Sequence, residues 1–110
     1  MMITVDALLV AIERLDRADL ERWIANDWVR PEGGPGHYLF RDIDVARVRL
    51  IVELREALEI NEPALPAVLQ LIDQLYALRR RMRAFNAALD DVLPAETRTR
   101  LAERLRDAGS

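Results

Sequence analysis

Few residues in this sequence could carry out catalysis. It has one histidine, His37, one serine, Ser110, and no cysteine. These residues cannot supply a histidine-activated nucleophile, nor a zinc site built from histidine and cysteine. A pair of carboxylates for acid–base catalysis stays open, but the carboxylates are mixed with arginines on charged helix faces. We therefore expect no enzymatic activity, no metal and no cofactor.

The glycine-rich segment Glu32-Gly33-Gly34-Pro35-Gly36 is a second candidate for chemistry, because glycine loops can hold a phosphate group. Such a loop needs a strand before it and a helix carrying lysine and serine or threonine after it. Here the aromatic segment His37-Tyr38-Leu39-Phe40 follows instead. We therefore interpret the glycines as a turn between two short strands of a β-hairpin.

Four cations stand within five residues at Arg79, Arg80, Arg81 and Arg83. Two interpretations of this cluster stay open. It could be the solvated face of a coiled-coil helix, neutralised by acids of the C-terminal tail or by a second subunit. The tail acids in question are Glu96, Glu103 and Asp107. The cluster could instead be an anion patch for a ligand or a nucleic acid, and of the two we favour the coiled-coil face.

The spacing of apolar residues predicts a mainly α-helical chain. Thr4 is a predicted N-cap for a first helix and Asp16 for a second, and their short connection indicates a steep helix-turn-helix crossing. Pro31 ends the second segment. A third helix is predicted from Asp42 to about Ile60. The residues assigned to the core are Trp23, Leu50 and Leu54.

A fourth, long helix has the cleanest periodicity. Three- and four-residue steps alternate through Val68, Leu71, Leu75, Leu78, Met82, Phe85, Leu89 and Val92. We expect its N-terminal end to pack onto its own domain through Leu65, Leu69, Ile72 and Tyr76. The remaining heptad stripe should be buried by another chain or by the tail helix. The predicted homodimer seam consists of Leu78, Met82, Phe85 and Leu89.

The composition is that of one ordinary globular domain. The chain has 110 residues, 51% of them apolar and 32% charged, with a net charge of −3. No basic leader precedes the apolar residues of the first helix, so we expect a cytoplasmic protein. The predicted organisation is a winged helix-turn-helix region at 1–62, the heptad helix at 63–93, and a short tail helix at 94–110. The tail has only Leu101 and Leu105 as large apolar anchors, and its end at 107–110 is expected to fray.

The order of these elements resembles the MerR-type winged helix-turn-helix domain. The resemblance rests on Val29-Arg30-Pro31, the aromatic segment 37–40, and the helix start Asp42-Ile43-Asp44-Val45. Within that superfamily the chain is most similar to the chaperone-modulator (CbpM) family. The closer cues are Thr4-Val5-Asp6 and the segments 50–60 and 66–75, so the resemblance covers residues 3–89.

Members of the CbpM family bind the J-domain of a DnaJ-like co-chaperone of the CbpA type and inhibit it. The resemblance therefore implies a non-enzymatic modulator that covers the basic J-domain helix used by Hsp70. The expected contacts are exposed acids of the third helix and one tryptophan: Asp42, Asp44, Glu53, Glu56 and Trp28. For Trp28, a place in the core is the favoured alternative.

The competing interpretation is a MerR-type DNA-binding regulator that acts as a dimer. There the second helix enters the major groove, and cations on the helix and the wing neutralise phosphates. The second helix here carries two arginines against three acids: Arg17, Asp19, Glu21, Arg22 and Asp27. The wing adds only a small positive excess from Arg30, Glu32, His37 and Arg41. We therefore expect DNA binding to be disfavoured.

Overall fold

Five helices and a two-stranded antiparallel sheet make up the computed structural model, which describes residues 1–109 and is 70% helical. The helices are α1 (Val5–Ala11), α2 (Arg17–Ala25), α3 (Asp42–Glu56), α4 (Leu65–Val92) and α5 (Ala95–Ala108). The strands are β1 (Ile3–Thr4) and β2 (Leu39–Phe40), and a 3-10 turn covers Glu62–Ala64. The chain divides into two compact units, the first Met1–Leu69 and the second from Gln70 onward. The predicted mainly helical class is confirmed.

Both predicted N-caps are confirmed. The Thr4 side chain accepts a hydrogen bond from the Ala7 N–H at 3.2 Å, and Asp16 accepts one from the Asp19 N–H at 2.8 Å. These bonds satisfy amide groups that have no partner inside the helix. Leu8, Leu9, Ile12 and Leu15 recur at helical spacing, but α1 ends at Ala11 and is therefore shorter than this apolar pattern. Ile12 and Leu15 are nevertheless buried, from the turn that leads to α2.

The predicted β-hairpin is wrong in one respect: its second strand, β2, pairs mainly with β1 and not with the segment before the glycine-rich loop. Glu32 and Leu39 exchange two backbone hydrogen bonds of 2.9 Å, which close the glycine-rich loop in a single bridge. Strand β2 pairs instead with β1, in the register Ile3 to Phe40. Gly33 has a φ of +86°, and a Cβ there would lie 2.3 Å from the His37 carbonyl oxygen. A residue other than glycine would therefore open this loop.

The core of the first unit lies where α1, α2, α3 and β2 meet. Its most buried side chains are Leu8, Leu20, Trp23, Phe40, Val48, Ile51 and Leu65, each 0–1% exposed. The predicted core positions Trp23 and Leu54 are confirmed, and so are Leu65 and Leu69 at the start of α4. Leu50 is only partly buried, because it lies toward the solvent side of α3.

In the second unit, the apolar stripe of α4 remains exposed. Leu78, Met82, Phe85 and Val92 are 50%, 57%, 64% and 73% exposed, and only Leu89 is half-buried. The tail helix α5 therefore does not cover this stripe, although Arg98 forms an ion pair with Asp90 at 3.6 Å. Fraying was predicted for 107–110, yet α5 continues to Ala108; Ser110 lies outside the described residues.

Candidate interaction surfaces

The outer face of α3 carries two of the predicted contact acids, Asp42 and Glu53. Their positions differ by 11 residues, which is about three helical turns, so both carboxylates lie on one side of the helix. Both are exposed, and neither forms an ion pair with another described residue. Arg49 lies between them on the same face and is also exposed. This side of α3 therefore offers two unneutralised carboxylates and one cation to a partner.

Asp44 was predicted to be an exposed contact, and this is wrong. Its residue is 5% exposed, and its carboxylate accepts hydrogen bonds from the Arg41 backbone N–H at 2.9 Å and from Arg41 Nε at 3.0 Å. The hydrogen bonds and charge of Asp44 raise the pKa of Arg41. Asp44 thus caps the N-terminus of α3, where a carboxylate also interacts favourably with the helix dipole. It is not available to a partner.

A charged network, not foreseen from the sequence, joins α2 to α3. Asp19 accepts hydrogen bonds from Arg55 and from Arg22, each at 2.8 Å. Arg22 also binds both carboxylate oxygens of Glu62, which precedes α4. The Arg55 guanidinium lies 5.2 Å from the centre of the Trp23 ring, a cation–π contact. The predicted contact acid Glu56 belongs to this region too, because it pairs with Arg55 at 3.2 Å and with Arg14 at 3.7 Å.

The network shifts the titration of two carboxyl groups. Burial by itself would raise the pKa of Asp19, but hydrogen bonds from Arg55 and Arg22 lower it below its ordinary value. Hydrogen bonding from Arg22 likewise lowers the pKa of Glu62. A depressed folded-state pKa contributes stability that is present above the ordinary pKa and lost as the pH falls through the folded-state value. These two groups therefore stabilise the fold at neutral pH and cease to do so in acid.

We expect the variant D19N/E62Q to be less stable than the wild type at pH 7, because Arg55 and Arg22 lose their negatively charged partners. Its stability should also change less than that of the wild type between about pH 6 and about pH 3. Urea denaturation at several pH values measures both effects. The control E13Q/E53Q also removes two negative charges, from exposed positions that form no ion pair with another described residue. Equal flattening of the pH dependence in both variants would contradict this role of the network.

Trp28 is half-buried. It is therefore neither a fully buried core residue nor a fully exposed anchor, the two alternatives predicted for it. Its position follows from the end of α2, where Asp27 adopts a φ of +61° and the Trp28 N–H donates to the Trp23 carbonyl at 2.9 Å. This is a Schellman-type helix end. The Trp28 carbonyl accepts a hydrogen bond from Arg47 Nε on α3 at 3.0 Å. The backbone on either side of the ring is thus held, and part of the ring surface can reach a partner.

A groove of about 860 Å³ lies between α2 and the glycine-rich loop. Apolar atoms of Ile24, Tyr38 and Leu39 contribute to its lining. Its only arginine, Arg17, forms an ion pair with Asp6 at 2.5 Å, while Glu21 has no ion-pair partner among residues 1–109. The groove therefore offers apolar surface and a net negative charge.

Charge is divided unequally between the two units. The first has eight arginines and thirteen carboxylates, a net charge of −5, whereas the second has eight arginines and six carboxylates, a net charge of +2. The arginine cluster Arg79, Arg80, Arg81 and Arg83 lies in the second unit, and all four residues are exposed. A partner with a basic surface is therefore attracted to the first unit and an anionic partner to the second.

No family model, curated protein or solved structure matches this chain. Within residues 1–109, no helix is both long enough and apolar enough to cross a membrane. The same residues contain no group of three or more His, Asp or Glu side chains that could hold a metal ion.

Proposed function

We propose that this chain is a non-enzymatic modulator of a DnaJ-like co-chaperone, whose J-domain it binds in place of Hsp70. In this proposal α1, α2, the glycine-rich loop and α3 form a MerR-type winged helix-turn-helix of the chaperone-modulator kind. The observation that carries the proposal is the net charge of −5 on the first unit, together with exposed carboxylates on α3 that form no ion pair within residues 1–109. Such a surface complements a basic helix.

The ion pairs of α2 support a protein partner over DNA. A helix that enters the major groove needs free cations to neutralise phosphates. On α2, Arg17 is bound to Asp6, and Arg22 is bound to both Asp19 and Glu62. Both cations are therefore already neutralised, while Glu21 would repel the DNA backbone. The same groove presents apolar atoms and a carboxylate, a combination suited to an amphipathic basic helix.

The proposed modulator is a homodimer. The stripe Leu78, Met82 and Phe85 is at least half exposed in the single chain, at heptad positions that suit a second copy of α4. A contiguous apolar surface of this kind marks an association site in soluble proteins. The proposed setting is the cytoplasm, in keeping with a chain that has no cysteine.

Charge reversal at Asp42 and Glu53 tests the J-domain surface. We expect D42K/E53K to bind a purified CbpA-type J-domain with an association rate about tenfold lower at low salt, and with a weaker salt dependence. The reason is that two exposed carboxylates no longer attract the basic helix during encounter. Stopped-flow fluorescence at several salt concentrations measures both quantities.

The matched control is D91K/E103K, which makes the same charge change at exposed positions of the second unit. It should keep the wild-type association rate. Unchanged kinetics in D42K/E53K would reject the α3 face as the docking surface, and absence of any wild-type binding would reject the proposed function itself.

A further inference from the structure

One basic face of the molecule is not used by the proposed function. A helix turns about 100° per residue, so Arg79, Arg80 and Arg83 fall within one sector of about 100° on α4, with Tyr76 inside it. We call these four residues the arginine face. The three arginines are exposed, and Tyr76 is 47% exposed with the Arg79 guanidinium 5.9 Å from its ring centre. Arg81 points to another side of the helix.

Carboxylates of the C-terminal tail were one expected source of counter-charge for these arginines, but no described carboxylate forms an ion pair with them. Glu96 is bound to Arg100 at 2.8 Å, and Arg98 pairs with Asp90. None of Arg79, Arg80 and Arg83 forms an ion pair with a carboxylate in the described part of the chain. Four arginines of the first unit, by contrast, all form ion pairs: Arg17, Arg22, Arg41 and Arg55. The arginine face is therefore unneutralised among residues 1–109.

A second copy of α4 does not neutralise it either. If the apolar stripe pairs with its own copy, the side chains flanking the seam are those at the e and g heptad positions. Between residues 72 and 88 they are Ile72, Gln74, Arg79, Arg81, Asn86 and Ala88, none of which is acidic. Pairing through the seam thus leaves the arginine face without carboxylates and open to an external anion.

We propose that the arginine face binds the phosphate backbone of duplex nucleic acid, independently of base sequence. From Arg79 to Arg83 the helix rises about 6 Å. The same length of a DNA duplex carries between about three and four phosphates, since one charge occurs per roughly 1.7 Å of its axis. Three arginines in one sector match this density, and arginine suits phosphate because its guanidinium can donate two parallel hydrogen bonds. Half-exposed Tyr76 adds a hydroxyl donor beside them.

The test is fluorescence anisotropy with a labelled duplex of arbitrary sequence and about 24 base pairs, titrated with the full-length protein. Three phosphate contacts predict that the logarithm of the binding constant falls with the logarithm of salt concentration with a slope of about −2.7. Affinity should therefore drop about 40-fold between about 50 and about 200 mM salt. The variant R79Q/R80Q/R83Q should bind at least about tenfold more weakly at the lower salt, with a slope near zero.

The matched control R30Q/R49Q/R104Q also removes three positive charges. These arginines are exposed and form no ion pair in the described part of the chain; Arg30 precedes the glycine-rich loop, Arg49 lies on α3 and Arg104 on α5. It should bind the duplex as the wild type does.

The proposal is overturned if the control loses binding as severely as R79Q/R80Q/R83Q, or if the wild type does not bind the duplex. It is also overturned if poly-glutamate displaces the duplex at equal charge concentration, since the face would then serve an acidic protein. J-domain binding of R79Q/R80Q/R83Q, measured alongside, keeps this outcome separate from the proposed function.

Discussion

The variant M82E/F85E is expected to sediment as a monomer under conditions where the wild type sediments as a dimer. Met82 and Phe85 are 57% and 64% exposed in the single chain, and they occupy consecutive heptad positions at the middle of the α4 stripe. In a paired seam each glutamate would be removed from water without a counter-charge, which costs several kcal/mol per copy. Sedimentation velocity over a range of concentrations measures the effect.

The control A84E/A87E adds the same two charges to α4 at exposed positions that lie outside the heptad stripe. It should remain a dimer, and the circular dichroism of both variants should stay helical. A wild-type monomer, or a dimer that survives M82E/F85E, would show that the stripe does not pair with a second copy.

The second large effect is expected at Trp23. The side chain is fully buried at the centre of the first unit, below the Arg55 guanidinium. Replacement by alanine should lower the free energy of unfolding by about 3 to 5 kcal/mol, because it removes a large apolar surface and leaves a cavity. Natural domains have a total stability of about 5 to 15 kcal/mol, so W23A should remove a large fraction of the stability of the first unit. Urea denaturation followed by circular dichroism measures the loss.

Trp28 provides the matched control, since W28A is the same substitution five residues away. Its ring is half-buried and its carbonyl contact with Arg47 is made by the backbone, so W28A should cost clearly less than W23A. If the two variants lost equal stability, the assignment of Trp23 to the centre of the core would be wrong. A large loss of J-domain affinity in folded W28A would add Trp28 to the proposed docking surface.

The local structure of this chain could be predicted from its sequence. Thr4 and Asp16 are N-caps because a short oxygen-bearing side chain can reach an amide three residues ahead, and this depends on neighbouring residues only. The α4 periodicity likewise indicated one long helix with an apolar stripe, whatever lies beside it. The excess of acids over arginines in the first unit can also be counted directly.

The features that could not be predicted depend on how separate segments pack together. Asp44 looked like an exposed acid; its hydrogen bonds with Arg41, three residues earlier, are local, but its burial arises only when the start of α3 packs within the first unit. Asp19 and Arg55 are 36 residues apart, and their contact depends on how α2 packs against α3. Nothing in either local pattern specifies that geometry.

The sequence by itself determined the mainly helical class, the N-caps of α1 and α2, the apolar stripe of α4 and the acidic excess of residues 1–69, because each depends on residue type and short-range spacing. Only the tertiary structure decided which charges are free. It paired the arginines of α2 with carboxylates, buried Asp44 and joined β2 to β1 across the first unit. It also left the arginine face of α4 without a carboxylate partner from residues 1–109. The physical reason is that an ion pair or a strand pair forms only when burial of the whole core has brought two distant segments within a few ångströms.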